Sequence, residues 1–171
     1  MKELSERLIN LFGALAIGVA DRVRWEALDE TALGGEGSAA LVVIGHAPGM
    51  SIDQLSRVLG LSHPGAVRLV DRLTNAGLAV RELSLDDRRA VALGLTAEGR
   101  SQRAALLKRR NKALKAVLAV VRAEDMAVLE RIADAMLQTL PDDAASALTV
   151  CRYCNERQCP DCPMDVFGEL T

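Results

Sequence analysis

A mostly α-helical fold with one small β-hairpin is predicted by three observations. Half of the 171 residues are apolar but only 2% are aromatic. The core is therefore aliphatic, which suits helix packing better than a large sheet. Apolar residues recur at three- and four-residue steps near both ends of the chain, as in amphipathic helices. Between these ends, two short helical patterns meet at a tight turn, and two short alternating runs then flank a charged loop.

Residues 2–30 are expected to form one long helix. Leu4, Leu8, Leu11, Phe12, Leu15, Val19 and Val23 make a single stripe, and Gly34-Gly35 breaks it. Residues 37–46 contain Leu41-Val42-Val43-Ile44, which periodicity alone fits to a buried strand or a buried helix. The neighbouring elements favour a helix, ended by Ala47-Pro48-Gly49. Ser51 and Gln54 form a capping box for the next helix, whose inner face is Ile52, Leu55, Val58 and Leu59. Gly60 makes the turn. Ser62 caps a second helix with Pro64 in its first turn. Val67, Val70 and Leu73 face inward there, while His63, Gly65, Arg68 and Arg72 lie outward or flanking. Asn75-Ala76-Gly77 supplies a left-handed stop.

Leu78 and Val80 begin one strand, and Val91, Leu93 and Leu95 alternate in a second. The link between them, Leu85-Asp86-Asp87-Arg88-Arg89, is polar. Thr96 caps a helix expected to run to about Ala123. A last helix carries Leu129, Ile132, Ala133, Met136, Leu137 and Leu140 and stops at Pro141. Residues 142–147 read as a linker, and the sequence changes character from Thr149 onward.

The net charge is −2, but it is segregated. Residues 1–49 carry 4 basic and 7 acidic side chains, 50–95 carry 6 and 5, 96–123 carry 8 and 1, and 124–171 carry 3 and 10. Local field governs phosphate binding more than the total does. The basic run Arg100, Arg103, Lys108, Arg109, Arg110, Lys112, Lys115 is either a solvated face, paired with the acidic tail, or a DNA flank. Leu8–Ala20 is apolar, but Glu3 and Glu6 spoil the basic start of a secretory leader. No run reaches the roughly 18 apolar residues of a membrane span, so a cytoplasmic location is expected.

The order helix–turn–helix–hairpin–helix is that of a winged helix-turn-helix, in which the second helix enters the major groove of DNA. Ser62, His63 and Gly65 would let the start of that helix approach the groove floor. Arg68 and Arg72, one and two turns on, suit guanine edges or backbone oxygens. Arg88 and Arg89 at the wing tip suit a narrow minor groove, with Asp87 orienting one of them through a salt bridge.

This segment resembles the MarR family of bacterial transcriptional regulators. SIDQLSRVLGLS matches its first helix and turn, GAVRLVDRLTNAGLAVR its recognition helix and first strand, and DDRRAVALGLTAEG its wing and following helix. The resemblance implies a homodimer whose terminal helices interlock, at residues 2–33 and 100–140, around winged helices at 36–99. Such a dimer binds a pseudo-palindromic operator in double-stranded DNA. Family members are mostly repressors released by small phenolic ligands, oxidants or metals. The scarcity of aromatic residues gives no sign of a phenolic pocket, so a phenolic effector is not expected.

All four cysteines fall in 149–171, as Cys151, Cys154, Cys159 and Cys162, with spacing C-x2-C-x4-C-x2-C. Two C-x2-C pairs can set four thiolates around one zinc ion per chain, although the four-residue gap is tight. An iron–sulfur cluster, redox-active thiols and inert thiols are the alternatives. A structural zinc would pin the tail against the dimerisation helices, and a sensory one would change the spacing of the recognition helices. No Ser/His/Asp set, phosphate-cradling loop or helical His pair supports an enzyme. A protein-interaction module, or a redox or metal protein acting through the tail, are the competing readings.

Overall fold

Side-chain caps set the boundaries of most helices in the computed structural model, which describes residues 4–28, 33–83 and 91–170. Ser5 accepts a hydrogen bond from Leu8 N–H at 3.1 Å and starts α1, Glu6–Val23. The helix expected over 2–30 is shorter than that and changes pitch, because Arg24–Leu28 widens into a π-helical turn. The second helix, α2, spans Gly34–His46 and is buried from Gly37 to Ile44. A helix buried on all sides has no polar face, which is why its period was unreadable.

The third and fourth helices, α3 at Ile52–Leu59 and α4 at His63–Asn75, pack on α2. Strand β1, Ala79–Leu83, pairs antiparallel with β2, Val91–Leu95, in the register Ala79↔Leu95 to Leu83↔Val91. Gly49 N–H donates to Leu93 O and Leu93 N–H donates to Met50 O, each at 2.9 Å, so the loop before α3 covers one edge of β2. Leu41, Ile44, Leu55, Leu69, Leu73 and Leu93 meet in one aliphatic core between helices and hairpin. Packing of this kind, more than propensity, holds such short helices in place.

Thr96 Oγ1 accepts from Gly99 N–H at 2.9 Å to open α5, Ala97–Leu118. This helix ends five residues before the expected Ala123, where a turn at 119–122 redirects the chain into α6, Ala123–Leu137. Neither α1 nor α6 buries a single residue. The stretch expected as a linker is instead the start of α7, Ala144–Val150. Asp143 and Ser146 form a capping box there. Hydrogen bonds from Ser146 hold the fully exposed Asp143 carboxyl below its usual range. Two 3-10 turns, Glu156–Gln158 and Asp165–Phe167, shape the rest of the tail. Among the described residues, no helix is long and apolar enough to cross a membrane.

Candidate nucleic-acid interface

The pair α3–α4 is fixed from beneath and presented outward. Ser51 Oγ accepts from Gln54 N–H at 3.1 Å, and Gln54 Oε1 accepts from Ser51 N–H at 2.7 Å. Together these bonds satisfy two of the amide groups that a helix start leaves unpaired. Gly60 adopts φ 64° and reverses the chain, a backbone conformation natural to glycine. Ser62 Oγ then accepts from Gly65 N–H at 3.3 Å and opens α4. On α4 the buried face is Ala66, Leu69, Val70 and Leu73. Val67, expected inward, is only half-buried.

The outward face of α4 begins with Ser62, His63 and Pro64 and continues through Arg68 and Arg72, all exposed, while Gly65 is half-buried. The charges divide in a useful way. Asp71 Oδ1 pairs with Arg81 Nη1 at 2.8 Å, tying the helix to β1. Asp53 lies 3.7 Å from Arg57 and 3.8 Å from His63 Nδ1. Arg68 and Arg72 have no ion pair among the described residues. Two uncommitted guanidinium groups on a rigid outward helix are therefore available to phosphates or base edges.

The hairpin stands beside this helix through the Arg81–Asp71 bridge. Its tip, with Asp87, Arg88 and Arg89, lies outside the described residues. The basic run on α5 divides between two duties. Arg103 is 9% exposed. Its Nε donates to Val42 O at 3.3 Å and its Nη2 donates to Glu156 of the tail. Burial, the largest single influence, pushes the Glu156 carboxyl up, but the Arg103 hydrogen bond, a backbone hydrogen bond and the Arg103 charge together hold the group below its usual range. Lys108, Lys112 and Lys115 instead line an open cleft of about 1050 Å³ with Arg100 and Arg157.

The cysteine tail lies on α5 and against Leu137 of α6, within the expected dimerisation region at 100–140, and also on α2 and α3 of the reading unit. Thr149 Oγ1 donates to Val58 O at 2.7 Å, Tyr153 OH to Gly35 O at 2.8 Å, and Gln54 Nε2 to Leu170 O at 3.2 Å. Cys151 is buried with Ala147 and Met164, against Cys154, Cys162 and Phe167. All four cysteines line one cleft. The Cys151 hydrogen bond outweighs burial and, with Arg110 Nη2 3.8 Å from Sγ, lowers the Cys154 thiol to about 6. The same bond, with burial, raises Cys151; burial and Cys162 raise Cys159. All four cysteines are free. Among the described residues, no group of three or more His, Cys, Asp or Glu side chains is already arranged to hold an ion. His46 lines the same cleft as the four cysteines, whereas His63 lies beside Asp53.

Glu156, Tyr153 and Thr149 are the contact residues that sequence reasoning missed, while Arg103, named in the basic run, makes the pairing with the acidic tail raised there. Opposite charge on α5 and the tail was the one available signal; the pairing of residues 53 positions apart was not readable from it.

Comparison with known proteins agrees with this geometry. Residues 38–90 match the model of the MarR family. FabT from Streptococcus pneumoniae, solved in complex with DNA, superposes with a TM-score of 0.62 at 25% identity, covering 80% of this chain and 97% of that one. A MarR family protein from Bacillus stearothermophilus gives 0.68 at 24% identity, covering 80% and 97%. CouR from Rhodococcus jostii RHA1, solved bound to p-coumaroyl-CoA, gives 0.61 at 27% identity, covering 81% and 94%. No curated protein matches by sequence.

Proposed function

Since residues 38–90 carry a MarR-family domain within a winged-helix fold, we propose that this chain is a homodimeric, sequence-specific regulator that represses transcription until an effector releases it. The observation that carries the reading is α4: capped by Ser62, buried on one face, and presenting Arg68 and Arg72 outward without an ion pair among the described residues. Small or polar residues at its leading edge let backbone and side chains reach base edges. The DNA complex of FabT supports the same use of the fold. The p-coumaroyl-CoA complex of CouR supports an effector in proteins of this shape.

The salt dependence of DNA binding tests the reading. Fluorescence titration against the promoter beside its own gene should show affinity falling about a thousandfold between roughly 50 and 200 mM salt. Replacing Arg88 and Arg89 together by alanine should weaken binding further. Salt-insensitive binding, or none to any duplex, would leave the winged helix as a protein-interaction module.

A second copy of this chain is the proposed cover for the unpartnered stripes. Leu8, Phe12 and Leu15 on α1 are 54%, 49% and 55% exposed, and Ile132 and Met136 on α6 are 44% and 38% exposed. Apolar stripes of this extent are rare on monomers. A twofold axis between two such subunits sets two α4 helices about 34–36 Å apart, one turn of DNA. The double variant Leu15→Glu, Ile132→Glu should sediment as a folded monomer and lose cooperative operator binding. A dimer of unchanged stability would place the contact elsewhere.

A further inference from the structure

We infer that Cys151, Cys154, Cys159 and Cys162 bind one zinc ion per chain, and that this ion fastens the tail as a strap across the framework that carries α4. Three observations converge on it. First, Cys154 and Cys162 pack against the buried Cys151 and all four cysteines line one cleft, although their sequence positions span twelve residues. The second pair is drawn together by a sharp turn: Asp161, inside Cys159-Pro160-Asp161-Cys162, takes a left-handed φ of 53°. A non-glycine residue there is uncommon and needs a stabilising surrounding. Second, the tail has little of its own to fold around. Its apolar cluster holds only Ala147, Cys151 and Met164 as buried members. A metal supplies folding free energy where a core cannot. Third, the charge is complementary. Four thiolates around a divalent ion leave net negative charge, and Arg110 Nη2 stands 3.8 Å from the Cys154 sulfur. An N–H donor beside a ligating thiolate is the usual outer-shell support of such a site.

Binding replaces the thiol protons, which leave to solvent, and forms four zinc–sulfur bonds. Among the described residues no three such side chains are arranged to hold an ion, so binding must draw the four sulfurs together.

The strap touches what positions the reading helix. Gln54, which caps α3, also donates to Leu170 O, and Thr149 donates to Val58 O. Arg103, beneath α2, takes its carboxylate from the tail's Glu156. Loss of the ion frees these groups and loosens α3 under α4, so DNA affinity falls. This last step rests on the DNA-binding reading; the metal site does not.

Full-length protein, purified anaerobically with reductant and without added zinc, is to be analysed for metal, then depleted and titrated with cobalt(II). Expected are one zinc per chain, and cobalt spectra with thiolate charge-transfer and tetrahedral d–d bands at one equivalent. Cys159→Ser should weaken cobalt binding at least 100-fold with the circular dichroism of the winged helix retained. Depletion should weaken operator binding about tenfold, restored by zinc. Metal-free protein with four freely alkylated thiols, an absorption band of an iron–sulfur cluster, or a mass showing disulfides would each overturn the site. Equal operator affinity in loaded and depleted protein would overturn the coupling. Failure of both forms to bind DNA would refute the DNA reading and with it the coupling, leaving the cobalt spectra to decide the metal.

Discussion

Gly99→Ala is expected to destabilise the fold by about 3 kcal/mol, as overpacking against an immovable neighbour does. A Cβ at this position would lie 1.9 Å from Leu78 O, which is backbone and cannot rotate away. That oxygen is held in turn by Thr96 N–H at 3.1 Å and Thr96 Oγ1 at 3.2 Å, while Thr96 Oγ1 also donates to Gly77 O at 2.7 Å. The first turn of α5 is thus pressed onto the turn that joins α4 to β1. Forcing them apart moves the reading helix relative to the hairpin, so operator affinity should fall together with stability. Urea unfolding reads the effect as a lower midpoint at unchanged slope. Gly18→Ala serves as the opposite-sign control, because no atom lies within 4 Å of its Cβ position and an interior helical alanine gains about 0.5–1 kcal/mol. An unchanged midpoint in Gly99→Ala would disprove the close approach.

The double variant Arg68→Ala, Arg72→Ala should lose at least about 100-fold in operator affinity, since each base or phosphate contact of an arginine contributes about 1–3 kcal/mol. Neither side chain is buried, and neither has an ion pair among the described residues, so stability should change by less than about 0.5 kcal/mol. The single variants separate two roles. An arginine reading a guanine loses discrimination among operators but leaves non-specific binding intact. One holding a phosphate weakens all sequences and lowers the salt slope by about 1. Operator affinity within twofold of the parent for the double variant would show that this face of α4 does not meet DNA.

Much of the reading unit was legible because its determinants are local. The Ser51–Gln54 box, the left-handed Gly60, the Ser62 and Thr96 caps and the alternation of β2 are each set by residues within a few positions of one another. Local chemistry also explains the failures. Residues 142–147 looked like a linker because Pro141 and two aspartates read as a break, yet Asp143 is the cap that begins α7. The end of α5 at Leu118 followed from a turn in an Ala- and Val-rich stretch with no glycine or proline to mark it.

What the sequence determined by itself is therefore the capped helix pair, the hairpin, the unpartnered stripes and the spacing of four thiols, all products of short-range periodicity and side-chain-to-backbone bonds. Only the tertiary structure decided that the tail lies across α2, α3 and α5, and that Arg103 is a buried post rather than a surface cation. The reason is that charge segregation says which segments attract, whereas the particular donor that meets a given carbonyl depends on how the whole chain closes. A guanidinium taken from water needs its partners placed around it, and Val42 O and Glu156 reach Arg103 from separate parts of the chain only once the core has formed.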